Sequence, residues 1–550
     1  MAVKKYGIFL AYPPTVNLRT EGLGRYLSAF VKAASTSQDR HLVIATPSWL
    51  RIQLSDLFKD AEVPEASYSF VGPVKLPLLL RMYLRAKRSP KPRRGPRFRR
   101  LLRYSYLVVA GHLKWLTYGI ASTRNPLIFV ALCSYFGVIS LVSLPIAALF
   151  GLFKSAKVTR IVSLKIERKL YAQFGEQILR VRQIVTGTRK RLPASSVGSF
   201  FFAGMHYSEM RQMVSEINRT RPASAWYCPT AFWPQFNELE AARLMCVPDI
   251  VVSDFAIDFA EYGEPVVITF DDIGSAIAGG SDFVTYSQHI KTDTLVHQMG
   301  VDPERVWVVP HAPSTLSHRT DITGFPNNEA ASKSLSQALV VQSLHKVTGL
   351  SRAVFLSKTN FKFLFYASQF RPSKNVITLL RAYEHLLRKR FIGHKLVLTG
   401  NGDAKNVREF IERYDLADDV LCLYGLTEVE LASFYKCADL AVNPSLSEGG
   451  MPFTFTEALS VGTPVVMADI DVTREILTDP ALRQATLFNP YDWRNMADKI
   501  EWALKNRDTL YLQQRQFFDV LAKRTWEDVV NEHIGILDAI AERNDMTKSS

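Results

Sequence analysis

The sequence contains little cysteine and no long low-complexity tract. Five cysteines are scattered through 550 residues and none is spaced as Cys-x-x-Cys. This excludes a disulfide framework or a cysteine-based zinc site, and it fits a reducing cytosol. Hydrophobic residues make up 47% and charged residues 22% of the chain, as in globular proteins rather than disordered ones. At roughly 150 residues per domain, the length predicts two to four folding units.

Acidic residues are missing from one strongly basic stretch. Between Arg81 and Arg103 there are eleven Lys and Arg and no acid, in a chain whose whole excess is 67 − 52 = +15. A run of this kind can bind nucleic acid or anionic lipid. No groove-reading motif or RNA-binding aromatic signature accompanies it. We therefore expect anionic membrane lipid as a partner, and no nucleic acid.

Charge of either sign is missing from the segment that follows. Residues 126–153 form a run of 28 residues without a charge, whereas about 20 apolar residues are enough to cross a bilayer. Residues 104–121 are a weaker apolar segment, for which an interfacial or buried amphipathic helix is the alternative. Neither segment is a cleaved signal, because both begin too far into the chain.

Short apolar runs alternate with helix-length intervals on both sides of this insertion. Strands are predicted in residues 5–12, 41–46 and 67–72, with a loop containing Gly22 and Gly24 after the first. Six further strands or strand edges are predicted after about residue 195, in SFFFAG, AWYCPTAF, ARLMCVPDIVV, PVVITF, DFVTYS and RVWVVP. Such alternation is typical of a parallel sheet covered by helices on both faces.

These runs predict an α/β architecture of two domains. Residues 1–75 and 195–312 are predicted to form one doubly wound, Rossmann-like domain. A second alternation predicts another such domain over 361–525, with strands in FKFLFYAS, KLVLTGNG, VLCLYG, DLAVNPS and TPVVMAD. Residues 313–360 are predicted to be the interdomain linker, with one helix, and residues 526–550 a C-terminal helix and tail. The two domains are expected to face each other across a cleft.

The insertion, residues 76–194, is predicted to associate with a membrane without a single crossing. If residues 5–72 and 195–312 share one sheet, both ends of the insertion lie on one side of the bilayer, so a hairpin and a re-entrant segment are the two alternatives. Both flanks are basic, and the positive-inside rule places them in the cytoplasm. We expect the protein at the cytoplasmic face of the inner (plasma) membrane.

Candidate binding residues follow the predicted strands of the second domain, where ligands of open α/β sheets bind. Arg371 and Lys374 stand before a predicted helix start, where they can hold a diphosphate and stabilise its charge as a leaving group. The glycines of Gly400-Asn401-Gly402 permit a close backbone approach to a ligand. Glu448 is predicted in a loop, and Glu457 in the first turns of the following helix, which is expected to end at Gly462.

The motifs of residues 240–530 resemble the family-4 retaining glycosyltransferases of the GT-B architecture, also described as bacterial group 1 glycosyltransferases. They occur in the expected order as VVPHAP, ASQFRPSKN, LTGNG, LYGLTEVELASFYKCADLAVNPSLSEGGMPFTFTEALSVGTPVV, DVTREIL and LFNPYDW. The EGLGRY loop and residues 281–310 fit the acceptor-side domain of that family more loosely. Residues 76–194 have no counterpart in the common core.

The resemblance implies a nucleotide-sugar site in the second domain. Arg371 and Lys374 would contact the donor diphosphate, Glu457 would hold the ribose hydroxyls, and Glu448 would face the sugar. The backbone after Glu448 would face the sugar too, through Gly449, Gly450, Met451, Pro452 and Phe453. Acceptor-side candidates are Gly22, Gly24, His206 and Asp249.

This sequence departs from the family pattern in three places. Eight residues separate the two glutamates where seven are usual, and Ala367 replaces a glycine. Where many relatives have a His-Asp pair, this chain has Pro248-Asp249, and His206 is the substitute candidate for the histidine.

Two acidic pairs are candidates for metal or acceptor binding. Asp469 and Asp471 spell the Asp-x-Asp that other glycosyltransferases use to hold a divalent metal, but a surface turn is the alternative. Asp271 and Asp272 are predicted at a strand end, where they either touch the acceptor or cap the next helix. Because cations are already available for the diphosphate, no metal and no other cofactor is expected.

These features predict transfer of a hexosyl unit from a nucleotide sugar to a polyprenyl-linked or other saccharide acceptor in cell-surface polysaccharide synthesis. GDP-mannose is the donor that the resemblance favours. The alternatives are a nucleotide-sugar epimerase or a phosphorylase on the same fold, and a catalytically silent subunit that recruits partners to the membrane.

Overall fold

The fold is taken from a computed structural model. It describes residues 3–14, 16–18, 22–78, 80–81, 127, 130, 131, 134, 135, 197–259, 264–348, 362–402 and 404–549. The chain divides into two compact units, one formed by Met1–Gly72 with Met210–Ser550 and the other by Pro73–Glu209. The first unit contains two parallel sheets. Element labels below are numbered over the described residues.

The first sheet is built from both sides of the insertion. Its strands are β1 (Lys4–Phe9), β2 (Arg40–Ala45), β3 (Tyr68–Val71), β4 (Ala225–Cys228), β5 (Ala242–Cys246), β6 (Asp282–Thr285) and β7 (Val306–Val308). Their order is β3-β2-β1-β4-β5-β6-β7, and every neighbouring pair is parallel. The predicted single sheet from 5–72 and 195–312 is thus confirmed.

Helices cover this sheet because its strands are apolar on both faces. The helices of this part are α1 (Gly22–Ala34), α2 (Arg51–Asp60), α3 (Val197–Thr220), α4 (Val251–Asp254), α5 (Ala256–Phe259), α6 (Glu264–Ala278) and a π-helix (Ile290–Gln298). Short 3₁₀ turns occur at Glu65–Ser67, Pro234–Glu238 and Pro303–Arg305. The core is closed by large buried side chains, with Trp226 and Phe236 fully buried.

Two predicted strands of this domain are helices. SFFFAG lies within the 24 residues of α3, and PVVITF lies within the 15 residues of α6. A short apolar run does not separate a strand from a buried helix, and its continuation into a longer helical segment decides the outcome. Asp271 and Asp272 therefore lie inside α6 and not at a strand end, which corrects their predicted placement.

The second sheet has the same parallel construction. Its strands are β8 (Phe363–Tyr366), β9 (Lys395–Leu398), β10 (Val420–Cys422), β11 (Leu440–Asn443), β12 (Val465–Ala468) and β13 (Leu487–Phe488). They follow the order β10-β9-β8-β11-β12-β13. The associated helices are α7 (Asn328–Thr348), α8 (Val376–Lys389), α9 (Lys405–Arg413), α10 (Glu428–Cys437), α11 (Phe453–Ser460), α12 (Asp471–Ile476), α13 (Pro480–Thr486), α14 (Trp493–Lys505), α15 (Arg507–Leu521) and α16 (Trp526–Ser549), with 3₁₀ turns at Ser317–Arg319 and Pro372–Lys374.

Strand β8 shows why this sheet is covered on both faces. All four of its residues are buried, and alternate side chains point to opposite faces. Phe363 and Phe365 join one hydrophobic cluster, whereas Leu364 and Tyr366 join the other. The helix α7, predicted in the linker, adds Val340 and Leu344 to the first cluster.

The C-terminal helix α16 returns to the first sheet. It packs against α1, β4 and β5, and Asp538 accepts hydrogen bonds from Lys4 Nζ at 2.9 Å and from Tyr6 Oη at 3.1 Å. At another contact between the domains, the carboxylate of Glu475 accepts hydrogen bonds from the backbone amides of Gln288 (2.8 Å) and His289 (3.0 Å).

The predicted membrane-associated segments fall almost entirely outside the described residues. Of residues 104–121 none is described, and of 126–153 only 127, 130, 131, 134 and 135 are. Within the described part of the chain, no helix combines the length and the apolar character that a membrane span requires.

Candidate functional site

The second sheet has its topological switch point between β8 and β11, where strand order reverses. In open α/β folds, ligands bind at this point beyond the carboxyl ends of the strands. The loop after β8 carries Lys374, and the loop after β11 carries Glu448. Their side chains meet there, with Lys374 Nζ 2.8 Å from Glu448 Oε1 and 3.2 Å from Ser445 Oγ. The fold thus brings together two predicted site residues that are 74 positions apart.

Backbone contacts hold these two loops against each other. The amide of Leu446 donates to the carbonyl of Ser373 at 2.8 Å. The 3₁₀ turn Pro372–Lys374 is followed by Asn375 in the left-handed conformation (φ 52°), which begins α8. Asparagine tolerates this conformation better than most residues. Lys374 is therefore presented from a tight turn rather than from an extended loop.

Arg371 lies at the start of the same turn. Its guanidinium Nη2 donates to Gln369 Oε1 at 2.9 Å, and its backbone amide donates to the Gln369 carbonyl at 3.1 Å. Arg371 and Lys374 thus put two cations on one turn beside the switch point. Their assignment to a diphosphate stays a prediction.

The glycine loop after Glu448 is tightly enclosed by the first domain. A Cβ atom on Gly449 would lie 1.8 Å from the carbonyl oxygen of Pro248, and one on Gly450 would lie 2.8 Å from the Cβ of Tyr286. Only glycine fits at such approaches. The loop that the sequence assigns to the sugar is therefore in direct contact with residues that follow β5 and β6.

Asp249 is half-buried next to this loop. Burial raises the pKa of Asp249, the positive charge of Lys374 opposes that shift, and the negative charge of Glu448 adds to it. The structure thus places Asp249, predicted on the acceptor side, in the electrostatic field of the Lys374–Glu448 pair.

His311 is also half-buried against the glycine loop. Its ring centroid is 4.5 Å from that of Phe453 and 5.4 Å from that of Tyr286, and Nδ1 is 3.0 Å from the carbonyl oxygen of Ala312. Burial lowers the pKa of His311, so that the neutral imidazole is favoured.

Glu457 is at the centre of a second group of contacts. It lies on α11, which begins at Phe453 and ends at Ser460, and Gly462 follows with φ +94°. The predicted helix end at Gly462 is thus confirmed. The carboxylate is only 2% exposed and accepts hydrogen bonds from Arg25 Nη1 and from Ser314 Oγ, the latter at 3.0 Å. Burial raises the pKa of Glu457, and the charge of Arg25 acts in the opposite direction.

The loop Gly400-Asn401-Gly402 is packed by protein atoms. A Cβ atom on Gly400 would lie 2.1 Å from the ring of Phe370, and one on Gly402 would lie 3.0 Å from the Cβ of Cys422. These glycines allow close packing of side chains from neighbouring loops. A ligand contact by this loop stays a prediction.

The acceptor-side glycines are not in a loop. Gly22 and Gly24 form the first turn of α1, which corrects the predicted loop conformation. A Cβ atom on Gly24 would lie 1.8 Å from the carbonyl oxygen of Leu18, whereas Gly22 has open space. His206 lies on α3 in the second compact unit, and its acceptor role stays a prediction.

The sequence reasoning missed four residues that surround the candidate site. Arg25, Tyr286, His311 and Ser314 come from α1, from the segment after β6 and from the chain that connects the domains. Three of them lie inside segments that carry the family resemblance, Arg25 in EGLGRY, Tyr286 in residues 281–310 and His311 in VVPHAP. Their roles could not be read there because each depends on contact with a residue more than 130 positions away.

The two carboxylates of the Asp-x-Asp sequence pair with a nearby arginine side chain. Arg474 donates to Asp469 Oδ1 at 2.9 Å and to Asp471 Oδ1 at 2.5 Å. Over the ranges that the structure describes, no three His, Cys, Asp or Glu side chains are grouped as metal ligands.

Solved structures identify the class of fold. The chain is similar to Anabaena HepE in complex with UDP and glucose, with a TM-score of 0.53, 10% identity, and coverage of 98% of this chain and 100% of the other. It is also similar to sucrose-phosphate synthase from Thermosynechococcus elongatus, with a TM-score of 0.52, 11% identity and coverage of 100% of both chains. Two doubly wound domains of this kind define the GT-B fold, and the predicted fold class is confirmed.

The family match lies in the second domain. Residues 348–516 match the family model described as "Glycosyl transferases group 1", which confirms the predicted resemblance. The phosphatidyl-myo-inositol mannosyltransferase of Mycolicibacterium smegmatis is 31% identical over 116 residues, which cover 21% of this chain and 29% of the relative. The O-antigen chain mannosyltransferase RfbU of Salmonella typhimurium is 33% identical over 111 residues, or 19% of this chain and 30% of the relative.

A longer similarity extends into the first domain. The D-inositol 3-phosphate glycosyltransferase of Paenarthrobacter aurescens is 23% identical over 351 residues, which cover 60% of this chain and 76% of the relative. By contrast, the first curated relatives are matched over less than half of their own length, with 29%, 45% and 38% covered.

Proposed function

We propose that this protein is a retaining glycosyltransferase that moves a hexosyl unit, with mannose as the first candidate, from a nucleotide sugar to a membrane-linked saccharide acceptor. The single observation that carries the proposal is the Lys374–Glu448 pair at the switch point of the second sheet, 2.8 Å between Nζ and Oε1. A cation and a carboxylate at one point suit a ligand with a diphosphate and a polyhydroxyl end. A nucleotide sugar has both.

The proposed reaction needs no protein nucleophile. The bond between the anomeric carbon and the diphosphate oxygen breaks, and the acceptor hydroxyl forms the new bond on the same face of the sugar. Its proton passes to the departing phosphate oxygen. Arg371 and Lys374 stabilise the negative charge that develops on the diphosphate, a contribution made mainly in the transition state. Neither a metal nor another cofactor has a role in this scheme.

The donor is oriented by two carboxylates in this proposal. Glu448 faces the sugar hydroxyls, and the buried Glu457 holds the ribose hydroxyls. A carboxylate that accepts hydroxyl hydrogen bonds gives shorter and stronger contacts than a neutral acceptor.

The acceptor hydroxyl is proposed to approach from the side of Asp249. This carboxyl lies in the loop after β5, close to the charges of Lys374 and Glu448, and the neighbouring Pro248 packs on the glycine loop. Asp249 is therefore the first-domain group that we assign to orienting the acceptor.

The membrane setting is proposed from the sequence and from the names of relatives. The basic run Arg81–Arg103 and the apolar residues 126–153 fit attraction to anionic lipid at the cytoplasmic face of the inner membrane. A mannosyltransferase named for the O-antigen chain and a lipopolysaccharide 1,2-N-acetylglucosaminetransferase are among the relatives, which supports an acceptor in cell-surface polysaccharide synthesis. A polyprenyl-diphosphate-linked saccharide is the acceptor class that we propose.

The test is release of nucleoside diphosphate from a panel of nucleotide sugars, with and without lipid extract as acceptor. We expect release that depends on the acceptor, and loss of release in Arg371→Ala and Glu457→Ala. Undiminished turnover in both variants would overturn the site assignment. Conversion of the sugar to its epimer without an acceptor would favour an epimerase. Absence of any turnover would favour a silent subunit.

A further inference from the structure

The burial of Glu457 raises a physical problem for the proposed donor site. Its side chain is only 2% exposed, and a buried carboxyl without a partner takes up a proton rather than remaining charged. A protonated carboxyl loses the negative charge that strengthens its hydrogen bonds with ribose hydroxyls, and it presents a donor in place of one acceptor. The site therefore needs a cation that holds Glu457 in the ionised form.

That cation comes from the other domain. Arg25 lies on α1, in the first domain, and its Nη1 contacts Glu457 Oε1, 432 positions along the chain. Ser314 Oγ, from the segment that connects the domains, donates to the same oxygen at 3.0 Å. Because both contacts are made by Oε1, the other carboxylate oxygen is the one we assign to a ligand.

The position of Arg25 is set by the close packing of its neighbour. Gly24 allows the first turn of α1 to approach the carbonyl oxygen of Leu18 so closely that a Cβ atom would lie 1.8 Å from it. On the other side, the guanidinium carbon of Arg25 lies 5.9 Å from the ring centroid of Phe453 in the first turn of α11. Arg25 is thus held between the two domains.

Other titratable groups among the described residues act on this pair. The phenol of Tyr435 on α10 lies beside both Glu457 and Arg25, and the charge of Glu428 acts on Arg25 from the start of the same helix. Glu428 already accepts a hydrogen bond from Arg319 at 2.8 Å. Among the described residues around it, Arg25 is thus the cation that contacts the Glu457 carboxylate.

We propose that Arg25 is a positioning residue of the donor site, which keeps Glu457 charged and correctly oriented for the ribose of a nucleoside diphosphate. The inference rests on the proposed function, because the ribose role of Glu457 belongs to it. It makes donor affinity depend on a first-domain residue that acts through Glu457.

The inference predicts a change in the pH dependence of binding. Affinity requires ionised Glu457, so it falls as the pH falls through the pKa of that group. An opposite charge nearby lowers a carboxyl pKa by about 1–3 units. Removal of the charge in Arg25→Gln therefore moves the acid limb of affinity upward by about 1–3 pH units, whereas Arg25→Lys, which keeps the charge, moves it much less.

The experiment is calorimetric titration of GDP and of UDP into the full chain, at several values from about pH 5 to about pH 8. The variants are Arg25→Gln, Arg25→Lys, Glu457→Gln and the double variant of Arg25→Gln with Glu457→Gln. We expect the acid limb to shift in Arg25→Gln and to return toward the wild-type position in Arg25→Lys. The double variant is expected to bind no more weakly than Glu457→Gln alone, since Arg25 acts only through Glu457.

A matched pair of glycine variants separates positioning from general damage. Gly24→Ala pushes against Leu18 and displaces Arg25, whereas Gly535→Ala, on the helix α16 that packs against α1, has open space. We expect Gly24→Ala to weaken nucleotide binding and Gly535→Ala to leave it unchanged. Melting curves of every variant identify any that fail to fold.

The outcomes distinguish this inference from the proposed function. Wild type that binds neither nucleotide overturns both. Wild type that binds, together with Arg25→Gln of the same affinity and pH profile, overturns the role of Arg25 alone. An additive loss in the double variant also overturns it, because it means that Arg25 acts independently of Glu457.

Discussion

The two sheets of the first unit reverse their strand order in the same way and carry different chemistry at that point. In the second sheet, the loops after β8 and β11 bring Lys374 and Glu448 to 2.8 Å. In the first sheet, two aromatic rings meet after β1 and β4, where Tyr12 packs edge-on to Trp233 with centroids 4.8 Å apart. At the described residues of the two switch points, one thus carries an ion pair and the other a pair of packed aromatic rings.

The first domain contributes charge to the candidate site from two other places. Arg25 comes from α1 and contacts Glu457, and Asp249 comes from the loop after β5 and lies within the electrostatic influence of Lys374 and Glu448. The second domain thus holds the candidate ligand groups. The first domain packs against the glycine loop and supplies the positive charge that faces Glu457. Variants in the two regions should fail in different ways.

The largest expected effect is on turnover, from the charged switch point. Removal of one group that stabilises transition-state charge costs about 10²–10³ in rate, so Lys374→Ala should slow nucleoside diphosphate release by that factor. The matched control is Lys395→Ala. Lys395 pairs with Asp419 at 2.5 Å and is 26% exposed, close to the 24% of Lys374. It lies at the amino end of β9, whereas Lys374 follows the carboxyl end of β8. Equal losses of turnover in Lys374→Ala and Lys395→Ala would contradict a special role of the charged switch point.

The next effect is on stability at low pH, from the first domain. His533 on α16 is fully buried against Phe30 and Tyr227, with ring centroids at 5.3 and 5.0 Å, and burial lowers its pKa to about 4. The folded state therefore resists protonation, and stability is lost as the pH falls from the ordinary histidine pKa toward 4. The loss reaches about 3 kcal/mol.

The measurement is the free energy of unfolding against pH for wild type and His533→Phe. Phenylalanine keeps the aromatic packing and cannot titrate. Wild type should lose stability relative to His533→Phe between about pH 6.5 and about pH 4. Carboxylates that titrate in the same range are present in both proteins, so their contribution cancels in the difference. Parallel curves would mean that His533 is not buried as described.

A smaller effect tests the packing of the first sheet. A Cβ atom on Gly7 of β1 would lie 2.1 Å from the ring of Trp226, which is fully buried. Overpacking costs about 1–3 kcal/mol, so Gly7→Ala should lower the melting temperature while a folded fraction retains its nucleotide affinity. Gly535→Ala on α16, where the Cβ meets open space, is the control and should leave stability unchanged or slightly raised. If Gly7→Ala instead lost nucleotide affinity and kept its melting temperature, the assignment of Gly7 to packing of the first sheet would be wrong.

The smallest effect is expected outside both switch points. Asp469→Asn and Asp471→Asn break exposed contacts with Arg474, and exposed ion pairs contribute about 0–1 kcal/mol. Turnover should stay at the wild-type level in both variants and in the presence of a chelator. Loss of turnover that Mn²⁺ restores would assign the pair to a metal.

The sequence predicted the fold class and the second domain most completely. Its strands in FKFLFYAS, KLVLTGNG, VLCLYG, DLAVNPS and TPVVMAD all form, because short apolar strands there are each followed by a helix with clear boundaries. The same signal failed at SFFFAG and PVVITF, where apolar runs continue into helices. The hydrophobic period alone does not distinguish a short buried strand from a segment of a buried helix.

The candidate site was predictable only where a motif lies in one stretch of sequence. Lys374, Glu448 and Glu457 were chosen from local patterns, and the structure gives each a polar partner. That Lys374 and Glu448 contact each other, and that Arg25 meets Glu457, depends on sheet order and on the meeting of two domains. Neither contact can be predicted from a local sequence pattern.

The central claim is that the switch point of the second sheet binds the diphosphate of a nucleotide sugar. The most direct test is equilibrium binding of GDP and UDP to wild type, Lys374→Ala and Lys395→Ala at low ionic strength. We expect at least one nucleotide to bind to wild type and to Lys395→Ala, and its affinity to fall by about tenfold or more in Lys374→Ala. Equal affinity for all three proteins would contradict it.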